Sequence, residues 1–496
     1  VSQPSNEPTE GRARTPVGTD LLPTPRPAPR WAWGLLAFLS AANLLAAVDR
    51  GLFAALIRPI GFELDLWDDQ ADWLEALPLI AAALWAPMLG YFVDHTRRAR
   101  ILALGIALFG MASVGVGLAA SFESLQRARA LVGLGTATFG VAALTLVMDV
   151  FPRTARARAL AMYFLAGPIG MALALNLGPA LADAAAWQTA FLAGGAPALV
   201  IALAALRLPD PVRGVSEGVA VPKLRAHEAV GASPEDYVDL MVNSSFTYAV
   251  FGLTFTAFAI GGLDAWLPTF LIGARGLPEA RAARVAATIG PAAAAVGLIA
   301  GAWAADLWGR REPRAAFFVA ATAAWLALPC WLATFLGPAR DWQHATLFAT
   351  IALLFAVLAP CFAVVAAAAA PNMRGVACGG TVAVVYLLGV AWAPRLIQWG
   401  AEVFGQPDAM ATRLGRALAA LGATPHAVGG RPPENVAAAF LFASPALAAA
   451  GFVLMAGARH LPRESALMIA NLRAAPSRSG PRGRNAAART TSPPES

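Results

Sequence analysis

The stretch Gly90-Tyr91-Phe92-Val93-Asp94-His95-Thr96-Arg97-Arg98 joins two long apolar runs. A degenerate copy, Ala302, Asp306, Gly309, Arg310 and Arg311, stands between two further apolar runs. Asp94 to Asp306 and Arg98 to Arg310 share an offset of 212 residues. One cationic loop beside an apolar run is ordinary. Two copies of small residue, carboxylate and arginine at a fixed offset mark an internal repeat of half the chain. The small residue, Gly90 or Ala302, lets two helices approach closely, and the arginine can reach an acid on a neighbouring helix. Arg98 is expected to pair with Asp149, and Asp94 to cap its own turn. Aligning Pro371 with Pro152 leaves Ala368 where Asp149 would be, so only the first half carries the full relay. Gly90, Asp94, Arg98, Asp149, Asp306 and Arg310 are therefore the gating candidates.

Working outward, 58% of residues are hydrophobic and 14% charged, against roughly 25% charged in soluble proteins. Apolar runs of about 20 residues, enough to cross a hydrocarbon core of about 30 Å, recur near 33–57, 73–93, 100–120, 125–149, 159–183 and 188–207, then 245–272, 285–308, 315–336, 344–369, 375–399 and 436–458. The chain therefore reads as an all-α membrane protein with twelve transmembrane helices in two pseudo-symmetric six-helix bundles, 31–207 and 244–460. A polar linker, 208–243, joins them, and 1–30 and 461–496 read as disordered tails. Pro87, Pro168, Pro268, Pro291, Pro360 and Pro394 fall inside spans, which membrane helices tolerate. With both termini on one side, that side's loops carry Arg97, Arg98, Arg100, Arg153, Arg156, Arg158, Arg310, Arg311, Arg314 and Arg374, and the linker and its edge carry Arg207, Arg213, Lys223 and Arg225. The opposite loops are poorer in cations, so both termini are expected in the cytoplasm, across a cell inner membrane. The net charge of +7 is then a matter of topology, and nucleic acid is not implied.

Several chemistries drop out. Lys223 is the only lysine, so the chain has no Walker A lysine and no P-loop ATPase of its own. Cys330, Cys361 and Cys378 are scattered within spans, with neither metal spacing nor a disulfide pattern. No enzyme, metal or cofactor is expected. The histidines lie in loops or at helix ends, so a proton-coupling group should be a carboxylate. The expected partners are the bilayer, a small-molecule substrate and protons, with the chain a monomer.

Asp49 and Arg50 fall about 24 Å along the first helix from Trp33 at 1.5 Å per residue, well inside the bilayer. Arg129 lies at similar depth on the fourth helix, with Thr136 on the same face. Intramembrane charges default to function; a purely structural ion pair is the alternative. Asp49, Arg50 and Arg129 are expected to form one polar cluster. Asp264, on the seventh helix, aligns with Asp49 at an offset of 215, which also matches Leu52 with Leu267 and Leu56 with Leu271. Asp264 is thus a second coupling candidate across the cavity, with a wet, ionised carboxylate near the outer mouth as the bland alternative.

At these motifs the chain resembles the major facilitator superfamily. Asn43-Leu44-Leu45 before Asp49-Arg50, Ala86-Pro87 before Gly90, Arg129 before Gly133-Leu134-Gly135, and Gly261-Gly262 before Trp266-Leu267-Pro268 are similar to the Spinster subfamily. The resemblance implies a proton-coupled secondary transporter of an amphipathic or anionic, lysolipid-like substrate working by alternating access. It adds Asn43 to the coupling residues and Trp266 and Tyr386 to the cavity candidates. The chain departs from the family at Thr136, usually Glu, and at Val390 and Ala393, usually polar. A drug or organic-anion antiporter, with Arg50 and Arg129 binding a carboxylate, is the rival within transport. A non-transporting receptor or sensor is the rival outside it.

Overall fold

The computed structural model describes residues 27–184, 186–217, 234–337, 342–426 and 433–474. The expectations for 1–26, the middle of the linker (218–233) and 475–496 lie outside them. Among the described residues twelve helices are long and apolar enough to cross a membrane: Arg30–Glu63, Asp69–His95, Arg98–Gly117, Phe122–Val150, Arg156–Gly178 and Trp187–Ala205, then Ser244–Gly273, Glu279–Gly309, Ala315–Leu336, Gln343–Ala368, Arg374–Gly405 and Val436–Gly457. They are numbered first to twelfth below. The end at which the second helix turns into the third is called the arginine-rich end, and its opposite the far end.

Four spans are irregular, each about four residues before a proline; in the twelfth a 3₁₀ turn, Phe440–Phe442, precedes Pro445. A proline ring clashes with the carbonyl four residues back and removes a donor. Pro168 accounts for the break after Phe164 in the fifth helix, and Pro360 for the break after Ala356 in the tenth. Pro394 follows a π-helical turn, Val385–Val390, in the eleventh. The widened turn tips Tyr386 onto Ala82, Leu89 and Ala137 of the first bundle.

The bundles meet along the second and eleventh helices and along the fifth and eighth. On the first of these seams Gly90 lies against Gly375, where a Cβ on either would run into the other's carbonyl oxygen. The close approach needs glycine on both sides. Ala302 and Ala157 hold the repeat-related positions on the second seam, so those helices stay further apart.

Two segments differ from expectation. The C-terminal stretch begins as a helix, Leu461–Ala474, because Glu464 accepts from the backbone N–H of Ser244 and Ser245 at 3.1 and 2.8 Å. Those are orphan donors at the start of the seventh helix, and a carboxylate there satisfies both the donors and the helix dipole. Arg213, Gly214, Ser216 and Glu217 of the linker are buried between the bundles, and its last part forms the helix Pro234–Val242.

Replacing Gly375 by Val should prise the arginine-rich end apart, since overpacking a tight contact costs about 1–3 kcal/mol. Cys378 is fully buried on the same helix, its thiol 3.6 Å from Met148 Sδ. With Cys330 and Cys361 changed to Ala, maleimide labelling of Cys378 should rise roughly tenfold in Gly375→Val.

Candidate functional site

At the arginine-rich end, each half presents a carboxylate to the first turn of a helix in the other half. Asp94 accepts from the N–H groups of Gly375 and Val376 at 2.8 and 2.9 Å. Asp306 accepts from those of Ala157 and Arg158 at 3.1 and 2.9 Å, and from Arg158 Nε at 3.0 Å. The expectation that Asp94 caps its own turn is thus corrected: it caps the eleventh helix. The free donors and positive dipole end of that helix attract a carboxylate more strongly than the spent C-terminal turn to which Asp94 belongs.

Arg98 is fully buried and ion-paired with Asp149. Its Nε donates to Asp210 at 2.9 Å and its Nη2 to the Pro211 carbonyl at 2.5 Å, both in the linker. Arg374, from the second bundle, also pairs with Asp149 and donates to Glu217 Oε1 at 2.5 Å. Arg156, related to Arg374 by an offset of 218, donates to the same oxygen at 2.9 Å. Arg213 reaches Asp94 at 3.3 Å and the Val93 carbonyl at 2.8 Å. Burial alone would push the Glu217 carboxyl up, but the guanidinium groups of Arg374, Arg156 and Arg153 outweigh it and hold it at about 2. The linker therefore locks the closed end. Arg310, the repeat mate of Arg98, is exposed and makes no ion pair among the described residues.

The mid-bilayer cluster forms only in part. Asp49 and Arg129 are both 2% exposed, with Arg129 Nη1 3.6 Å from Asp49 Oδ2. Ser113 Oγ donates to Asp49 Oδ1 at 2.5 Å. Arg129 Nε donates to the Leu74 carbonyl at 3.1 Å, and its guanidinium lies 3.8 Å from the Phe53 ring centre. Asp49 Oδ2 and Arg129 Nη1 themselves have no hydrogen-bond partner among the described residues. Arg50 turns away and is exposed, because successive helix positions point about 100° apart. Its charge still reaches Asp49 and reaches Asp264 as well, which is exposed on the seventh helix. Asp49 and Asp264 thus differ in setting. Arg129 draws Asp49 inward, whereas the offset of 218 from Arg129 leads to Leu347.

Other candidates take structural places. Asn43 Nδ2 donates to the Tyr163 carbonyl at 3.0 Å, tying the first helix to the fifth. Thr136 Oγ1 donates to the Val132 and Gly133 carbonyls of its own helix, each at 2.9 Å, and does not join Asp49 to Arg129. Trp266 Nε1 donates to the Pro394 carbonyl at 3.0 Å, fixing the seventh helix to the eleventh. Sequence reasoning counted Arg156, Arg213 and Arg374 only as loop charge and missed Asp210, Glu217 and Ser113. The shared offset of Arg156 and Arg374 was the one legible signal among these. Nothing local marks Glu217.

The chain matches the family model of the Major Facilitator Superfamily over residues 39–394, and it belongs to that superfamily. It is 29% identical to mouse protein spinster homolog 3 over 396 residues, 75% of this chain and 76% of the relative. A crystal structure of a bacterial homolog of the human lysosomal transporter Spinster, inward-facing and unoccupied, superposes with a TM-score of 0.60 at 20% identity, covering 88% of this chain and 99% of that one. The human organic anion transporter of the same fold gives 0.59 at 15% identity, covering 86% and 100%. Within the superfamily the chain is Spinster-like, a multi-pass secondary transporter.

Removing one partner of a buried ion pair costs about 3–5 kcal/mol, whereas an exposed, unpaired side chain is worth about 0.5 kcal/mol or less. In detergent, Asp149→Ala and Glu217→Gln should each raise Cys378 labelling strongly, and Arg310→Ala should not. Equal effects of Asp149→Ala and Arg310→Ala would refute the asymmetry. The depressed pKa of Glu217 sets a pH window: its contribution is full above its ordinary value of 4.5 and lost as the pH falls through about 2. Glu217→Gln should therefore leave unmoved the midpoint of any pH response of Cys378 access between about pH 5 and 8.

Proposed function

We propose that this transporter is proton-coupled, moves a small amphipathic or anionic, lysolipid-like substrate by alternating access, and uses the Asp49–Arg129 pair as its proton site. The observation that carries the reading is the pair's incomplete pairing. Two buried, opposite charges face each other, yet neither Asp49 Oδ2 nor Arg129 Nη1 has a hydrogen-bond partner among the described residues. A buried ion pair is stable only when its remaining polar atoms are satisfied. A proton on Asp49 neutralises the carboxylate and loosens its hold on Arg129, which stays held by the Leu74 carbonyl and the Phe53 ring. Loss of the proton restores attraction between the first and fourth helices. One residue along, Arg50 presents its charge where a substrate anion can meet it, and Asp264 faces it from the other bundle as a second carboxylate in the coupling path. Asn43 and Thr136 serve this path by holding helix geometry.

The arginine-rich end is assigned to the cytoplasm by the positive-inside rule, in a cell inner membrane and with the chain as a monomer. With that end closed by the linker and the Asp94 and Asp306 caps, the described state is closed toward the cytoplasm. The exposed Arg50 supports an anionic group on the substrate, which an organic-anion antiporter would share. A sensor on the same fold would bind without flux.

In proteoliposomes carrying a pH gradient, Asp49→Asn should abolish gradient-driven uptake and leave counterflow exchange within about twofold, since exchange needs no net proton movement. Full driven flux in Asp49→Asn would show the pair to be structural. Asp264→Asn should lower driven transport with exchange intact, and unchanged driven transport in that variant removes Asp264 from the coupling path.

A further inference from the structure

The two seams between the bundles are not equally tight. Where Gly90 meets Gly375 the second and eleventh helices touch; where Ala302 and Ala157 stand instead, the fifth and eighth helices leave a cavity of about 250 Å³. Its walls come from both bundles: Trp33, Arg158, Met162 and Leu165 from the first, Ile299 and Trp303 from the second. Met162, Ile299 and Trp303 are exposed, whereas the opposite faces of the same helices pack on the tenth helix, Phe164 on Phe362 and Gly297 and Gly301 on Ala352 and Ala356, so the groove opens away from the tenth helix, on the lipid side.

Its chemistry is graded along the membrane normal. Leu165 and Ile299 lie deeper, Trp33 and Trp303 nearer the arginine-rich end, and indoles favour the headgroup level. Arg158 stands between them. Its Nε and Nη2 are taken by Asp306 and the Thr154 carbonyl, while Nη1 makes no hydrogen bond among the described residues. Ile299, Trp303 and Arg310 are spaced four and seven apart and so share one face of the eighth helix. Unlike its repeat mate Arg98, Arg310 is not used by the closed end, and Arg311 beside it is also exposed without an ion pair among the described residues. Of the carboxylates beside it, Asp306 is buried beneath Arg158 and two backbone N–H groups, and Glu312, two residues after Arg310, is engaged by Arg314. The mouth of the groove is therefore cationic and its floor apolar.

We propose that this groove is a binding site for one anionic glycerophospholipid of the leaflet at the arginine-rich end, with its phosphate between Arg158 Nη1 and Arg310 and an acyl chain over Met162, Leu165 and Ile299. Basic pockets between transmembrane helices recognise anionic headgroups in this way. The site also gives the second motif copy a role. In the first half the arginine turns inward to Asp149. Ala368 offers no acid in the second half, and the arginine turns outward to the membrane.

The test is native mass spectrometry of the full chain in detergent, titrated with phosphatidylglycerol and phosphatidylcholine of matched acyl chains. Wild type should take up its first phosphatidylglycerol in preference to phosphatidylcholine by about fivefold, the effect of one well-placed cation near a headgroup. Arg310→Gln removes the free cation, and Ile299→Trp fills the groove without touching a charge; each should abolish the preference. Leu203→Trp, at an exposed position of the sixth helix, should leave it intact. Equal uptake of the two lipids by wild type overturns the proposal. So does a preference that survives Arg310→Gln or Ile299→Trp, or one that is lost in Leu203→Trp.

Discussion

The closed end of this transporter depends on Asp149, whose two oxygens hold guanidinium groups from opposite bundles. Arg98 comes from its own half and Arg374 from the other. A carboxylate at 0% exposure in a membrane protein is tolerable only while both partners stay in place. Every contact around it follows from that demand. Arg98 and Arg374 carry more positive charge than Asp149 can balance, so Asp210 and Glu217 are drawn in from the linker, and Glu217 in turn gathers Arg156 and Arg153. A segment that would otherwise be solvated becomes part of the interface between the halves.

Around that charged centre the pseudo-symmetry is easy to see in the backbone and broken in the side chains. Asp94 and Asp306 cap helix starts related by the repeat, with nearly identical distances. The caps differ in what surrounds them. Glycine on both faces makes one seam tight and alanine on both makes the other loose, a difference of a methyl group on each side. Helix pairs in lipid lack a hydrophobic drive to close, so such small-residue differences set the approach distance. One seam between the halves is therefore firm, and the other leaves a groove between them.

In the bilayer interior the same economy of charge applies with fewer groups. Asp49 and Arg129 are buried together but leave one oxygen and one nitrogen unmatched, whereas Arg50 and Asp264 remain accessible. A helix places neighbouring residues on different faces, so adjacent charges in the chain serve different surroundings: Asp49 faces inward to the fourth helix and Arg50 faces Asp264.

The twelve spans, their division into two sets of six and the repeat of Asp94 and Arg98 as Asp306 and Arg310 were determined by the sequence alone. Hydropathy reports local cost in lipid, and a repeat is visible as a repeat. The pairing of Arg98 with Asp149 was legible for the same reason, since both lie at helix ends on one side. Tertiary structure alone decided what Asp94 caps, that Arg50 leaves Asp49, that the stretch after Leu461 is helical and that Glu217 locks the linker into the closed end. Each of these depends on which helix end or which arginine lies within a few ångströms in space. Asp94 and Gly375 are 281 residues apart in the chain, and no local pattern carries that information.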